Sequence, residues 1–121
     1  MTGDAPSLLD VAAVVARDHG QGALWNAETA DLDVNLIAFP PGAGVAEHVN
    51  AEVDVLLVVL SGDGSAHVDG REIHLAPGLA LLIPKGTHRA IHCLTERLVY
   101  LTCHRRRPKL IPARRSPSPA D

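Results

Sequence analysis

The sequence predicts an all-β fold, a closed barrel or jelly roll preceded by a short N-terminal helix. Two observations carry this expectation. Short apolar runs rich in Val, Leu and Ile recur between glycine and proline turns, at the spacing of roughly 8–12 residues that sandwiches and barrels show. Trp25, Phe39 and Tyr100 are the only aromatic residues among 121. The core must therefore be aliphatic, with many of the β-branched side chains that suit a pleated surface. A chain of this length forms one domain, burying roughly two-thirds of its unfolded surface.

Residues 1–20 read as a leader with one short helix. Ser7 with Asp10 has capping-box spacing, and Leu8, Val11, Val14 and Val15 make a helical stripe that runs to Arg17. Gly20 and Gly22 end it. Residues 21–104 read as the barrel. Residues 23–26 form a first short strand, 28–33 a polar turn and 34–39 a strand stopped by Pro40-Pro41-Gly42. Residues 55–60 are apolar at every position, as in a strand covered on both faces. Strands at 65–68 and 72–75 flank Asp69-Gly70, a strong hairpin signal. Residues 79–83 form another buried strand after Ala76-Pro77-Gly78, and Pro84-Lys85-Gly86 turns again. Strands at 89–93 and 98–103 close the domain as a last hairpin. Residues 105–121 are a tail rich in Pro, Ser and Arg.

Charge is divided between these parts. Up to His104 the only basic side chains are Arg17, Arg71, Lys85, Arg89 and Arg97, against many carboxylates, whereas Arg105, Arg106, Arg107, Lys109, Arg114 and Arg115 crowd the tail. No aromatic residues are interleaved with that tail and the body is acidic, which argues against a nucleic-acid partner. No apolar run reaches the roughly 20 residues of a membrane span. Asp4, Asp10 and Asp18 occupy the region where a signal peptide would be basic and then apolar. Cys93 and Cys103 lack framework spacing, so the expectation is two free thiols in a reducing cytoplasm. Cys93, close to Ile91 and Leu94, reads as a core thiol.

The stretch Gly42-Ala-Gly-Val-Ala-Glu-His48-Val-Asn50-Ala-Glu-Val-Asp54-Val55 runs on to Gly62, and a second block runs from Gly78 through Pro84-Lys85-Gly86 to His88. These residues resemble the two motifs of the cupin superfamily, small jelly-roll barrels built as a double-stranded β-helix. Gly42, five residues, His48 and the closing Gly62 fit the first motif. Gly78, five residues, Pro84, Lys85 and Gly86 fit the second. The likeness covers roughly residues 34–104. In that family two histidines and a glutamate of the first motif, with a histidine of the second, usually hold a divalent metal. Alternate strand residues face one way, so such a set converges on one inner wall and suits Fe, Mn, Ni or Zn.

This chain departs from the pattern at three places. Asn50 stands where the second histidine belongs. The acidic position is Asp54 counted from His48, but Val55 counted back from Gly62. The second-motif position falls on Arg89, with His88 one residue early. One register gives His48, Asp54 and His88, a three-ligand metal site with open positions. The other gives His48, Asn50, Val55 and Arg89, a metal-free pocket whose cation suits a carboxylate or other anion. Alternation of Val55, Leu57 and Val59 into the barrel favours the second and leaves Asp54 at the rim.

The resulting pocket is lined by Leu36, Leu57, Val59, Leu81 and Ile83, with His48, Asn50, His88, Arg89 and His92 at its polar end. His92 shares a strand face with His88, while His67 and His74 alternate with apolar residues and face solvent. Two functions follow from the resemblance, beside a structural or interaction role in which the pocket is vestigial and the basic tail provides the contact. One is a small-molecule-binding cupin domain, for an anionic metabolite, without a firm catalytic role. The other is a metal-dependent isomerase, cyclase or oxygenase in which His48, Asp54 and His88 hold the metal. A homodimer is the expected assembly, since edge strands need cover.

Overall fold

Alternation and turn chemistry place nine strands and one helix among the described residues. The computed structural model describes residues 5–107; Lys109, Arg114 and Arg115 of the basic tail lie outside them. Helix α1 spans Val11–Arg17. Strands β1 (Gly22–Glu28), β2 (Leu32–Phe39) and β3 (Gly44–Val49) follow, then β4 (Val55–Ser61), β5 (Gly64–Val68) and β6 (Arg71–Leu75). The last three are β7 (Ala80–Ile83), β8 (His88–Cys93) and β9 (Leu98–Arg105).

Two antiparallel sheets result. One has the order β1-β2-β9-β4-β7 and the other β3-β8-β5-β6. Their inner faces share one core, in which Ile37, Phe39, Leu57, Val59, Ile83, Leu98 and Tyr100 of the first sheet meet Ala66, Leu75, Ile91 and Cys93 of the second. Aliphatic packing dominates, as the scarcity of aromatic residues requires; Phe39 and Tyr100 make one tilted ring contact at 6.1 Å.

A smaller apolar layer covers the outside of the five-stranded sheet. Leu9, Val14 and Val15 from the helical segment pack with Leu24, Trp25, Leu60 and Leu101 on Leu36, Ala38 and Val99. The helix is shorter than its stripe suggests, and Asp10 rather than Ser7 caps it, accepting the Ala13 N–H at 3.0 Å. The Arg97 guanidinium fixes this segment by donating to the carbonyls of Val15 and Gly20. Leu36 faces this outer layer, so it does not line the barrel interior as expected. β3, which carries the first motif's histidine, is a strand that the sequence does not announce, because its apolar residues do not alternate with polar ones.

The first motif's two end glycines do different physical work. Gly42 and Gly62 both adopt positive φ, 77° and 78°, where an L side chain is strained by roughly 1–2 kcal/mol. A Cβ on Gly42 would meet nothing within 4 Å, whereas one on Gly62 would collide with the Arg97 carbonyl oxygen. The chain segment before β9 therefore packs directly on Gly62. Gly62→Ala is expected to cost about 3 kcal/mol or more in urea unfolding, against about 1 for Gly42→Ala; equal losses would contradict the close approach.

Candidate functional site

Strand register decides which side chains enter the barrel. Val55, Leu57 and Val59 pair across β4 and β9 with His104, Thr102 and Tyr100. Directly opposed residues share a face, so these β9 residues point inward with their partners. Through β9 the inward set extends to Asp33, Asn35, Ile37 and Phe39 of β2. The alternate residues Leu56 and Leu82, paired with each other, remain exposed on the outside.

On the second sheet, a bulge makes the decision. β3 has two residues between Val45 and His48 while its partner β8 has one between Ile91 and Arg89. Such an extra residue re-aims the side chains beyond it. Without it, Val45 and Glu47 would face inward together and His48 outward. With it, His48 stands opposite Arg89 on the inner wall and Glu47 is turned to the outer face, 3.4 Å from His88 Nδ1.

The inward polar residues gather at one end of the barrel. Arg89, only 1% exposed, donates from Nη2 to the Pro84 carbonyl and the Thr87 hydroxyl at 2.9 and 3.3 Å. Pro84 directly follows Ile83, which pairs with Val55, which pairs with His104, which pairs with Asp33. Arg89 thus lies at the same end as Thr102, His104, Asp33 and Asn35. Asn26 of β1 ties that wall together, donating to Asp33 Oδ1 and Asn35 Oδ1, both at 2.8 Å. Beyond β9, Arg107 reaches back to Glu52 at 3.4 Å and Arg106 to Glu28 at 3.6 Å, linking the chain's exit to the loops around this end.

Asn50 closes the same end from the β3–β4 loop. Its Oδ1 accepts the backbone N–H groups of Glu52 and Val53, and its own carbonyl accepts from Gly86. The two bonds to Oδ1 fix the amide's orientation and leave Nδ2 buried without a hydrogen-bond partner among the described residues. Thr102 Oγ1 is in the same state, on a residue with no exposed surface. Buried polar atoms are nearly always satisfied, so such exceptions call for a physical account.

The sequence-derived site residues therefore divide. His48, Asn50, Leu57, Val59 and Arg89 belong to the interior or its rim. His88 and His92 do not: they lie on the outer face of the four-stranded sheet, exposed, because Arg89, Ile91 and Cys93 take the inward positions of β8. Asp54 is exposed and braces the neighbouring turn by accepting the Lys85 N–H at 2.8 Å. The set His48, Asp54 and His88 consequently has one member inside, one at the rim and one outside. Sequence reading misses Asn35, Thr102 and His104; their positions two apart from apolar inward residues are the available signal. His67, His88 and His92 with Glu47, Asp69 and Ala90 line a concavity of about 330 Å³ on the outer face.

The family model for the cupin domain matches residues 35–104, from the inward Asn35 to the inward His104. The chain belongs to the cupin family. No protein of curated function matches it. Among solved structures, it is similar to BH2720 of Bacillus halodurans at 21% identity and TM-score 0.73, over 88% of this chain and 84% of that one. TT1209 of Thermus thermophilus gives 22% and 0.73, over 85% of this cupin and all (100%) of the other chain. KdgF of Halomonas sp. gives 24% and 0.64, over 68% and 74%. At these identities the likeness is one of fold. No helix among the described residues is long and apolar enough to cross a membrane.

Cupins commonly hold a divalent metal inside the barrel, and this interior does not fit one. Of the four family ligand positions only His48 keeps a transition-metal donor; Asn50 spends its oxygen on the backbone, Val55 has none, and Arg89 brings a positive charge. Among the described residues no group of three His, Cys, Asp or Glu side chains is arranged to hold an ion. Removing the rim carboxylate should therefore act on the turn alone. Asp54→Ala is expected to cost about 1 kcal/mol of stability by chemical unfolding, the worth of a hydrogen bond, without altering binding inside the barrel; a loss of binding with stability unchanged would return Asp54 to the site.

Proposed function

We propose that this cupin binds a small anionic metabolite at the polar end of its barrel, without a metal ion between protein and ligand. The observation that carries the reading is a guanidinium held on the inner wall, opposite His48, at the same end of the barrel as buried polar atoms of Thr102 and Asn50 that the described residues leave unsatisfied. A planar guanidinium presents five N–H donors and matches a carboxylate or phosphate edge to edge. The Pro84 carbonyl and the Thr87 hydroxyl, which accept from Nη2, help to orient that plane.

The rest of the interior limits the ligand. Leu57, Val59, Leu81 and Ile83 supply apolar contact below the polar end. Asn35 and the Thr102 hydroxyl offer neutral hydrogen bonds to oxygen substituents. Only Phe39 and Tyr100 contribute rings to the core, so recognition rests on charge and hydrogen bonds rather than stacking. These groups bind and orient; the reading assigns no bond-making step to them.

Two substitutions test it in opposite ways. Carboxylate metabolites that raise the melting temperature of the wild type should lose that effect in Arg89→Met, because a charge-assisted pair worth about 1.5–3 kcal/mol corresponds to roughly 10–150-fold in affinity. An undiminished thermal shift would sink the proposal. Thr102→Val removes an unsatisfied buried hydroxyl, so the unliganded protein should gain about 1 kcal/mol while affinity for the same carboxylate falls. Lower stability of the free protein would mean that the hydroxyl has a structural partner instead.

A further inference from the structure

The outer face of the four-stranded sheet carries four histidines, and none of them serves the interior site. His88, Ala90 and His92 alternate outward on β8; Ser65 and His67 do so on β5, and His74 on β6. His67 stands opposite Ala90, so it has His88 on one diagonal and His92 on the other. Diagonal neighbours lie within reach of long side chains, and the methyl of Ala90 leaves space between them. Glu47, turned outward by the β3 bulge, and Asp69 complete the rim of the concavity.

From this arrangement we infer a labile site for a divalent transition-metal ion on the outer face, chelated by the imidazoles of His67 and His92. Their ring centroids are 6.0 Å apart, with the planes inclined at 66°. One nitrogen of each ring at about 2.0–2.1 Å from a shared ion places the centroids roughly 4.5–5.5 Å apart at tetrahedral or cis bond angles, so the two exposed rings close by about 1 Å on chelation. Imidazole suits zinc, nickel and copper. No third His, Cys, Asp or Glu among the described residues converges on the pair, so water or an anion fills the remaining positions and the ion exchanges.

The neighbouring groups favour a cation. Glu47 and Asp69 add negative charge to the concavity, and Glu72 pairs across the strand with His67. Asp69 is held in place, its carboxylate accepting the backbone N–H of His88 at 2.8 Å. His74 is engaged elsewhere, 3.3 Å from Asp63. The site is separate from the cupin interior, where Arg89 excludes a cation, so metal binding here neither requires nor supports the proposed anion pocket.

The test is calorimetric titration of the full, tag-free chain with zinc(II), with copper(II) paramagnetic resonance as a second readout. One ion per chain should bind, and the copper spectrum should show coupling to two nitrogens. His67→Ala and His92→Ala, both at exposed positions, should each weaken binding at least about tenfold. His74→Ala and the interior His48→Ala should leave it unchanged. Absence of saturable binding, or binding that survives both outer substitutions, would overturn the inference, as would its loss in His48→Ala.

Discussion

The inward burial of Val55, Leu57 and Val59 is the constraint on which the rest of the structure depends. β4 lies between β9 and β7, and these three side chains are essentially inaccessible to solvent. Burying side chains of this size contributes about 1.5–3 kcal/mol each. A slip of one residue would turn all of them to the outside and bring Asp54, Leu56 and Val58 in. The apolar core thus fixes the register of β4, and ladder pairing transmits that register to Thr102 and His104 on β9 and then to Asn35 and Asp33 on β2. The polar end of the barrel is a consequence of where hydrophobic side chains had to go.

The second sheet reaches the same end by a different device. β8 has no continuous apolar run to pin it, yet Ile91 and Cys93 enter the shared core and so commit Arg89 to the inside. The bulge in β3 then brings His48 to the same face and rotates Glu47 away. Burial of Arg89 is tolerable because carbonyl and hydroxyl oxygens at Pro84 and Thr87 receive its N–H groups, whereas a bare buried charge is prohibitively costly. Chemistry is in this way divided by sheet face: the buried cation lies within, with Asn50, His48 and His104, while four exposed imidazoles and Glu47 lie on the outside of the four-stranded sheet.

That segregation separates fold from activity within one family. Gly62, Gly78 and Gly86 keep the turns of a cupin through positive backbone angles, and those requirements are indifferent to what the pocket holds. The ligand positions answer to chemistry alone, and here they have changed while the turns have not. Membership of the family consequently gives the barrel and its interior, and the side chains present give the function proposed for it.

Much of the barrel was legible in the sequence. Residues 55–60, 65–68 and 72–75 were recognisable because apolar runs and Asp69-Gly70 act locally, and Val55-Leu57-Val59 alternation already favoured Arg89 over a metal site. The exposed faces of His67 and His74 were also legible from alternation. Position along the chain did not reveal the β3 bulge, since an unpaired residue is defined only by the strand beside it. Nor did it reveal that His88 and His92 face outward, which the burial of Ile91 and Cys93 against the other sheet decided. The sequence by itself determined the turns, the strands other than β3 and the choice between two registers to be weighed. The tertiary structure decided between them, because facing inward is a relation between two sheets and not a property of either strand alone.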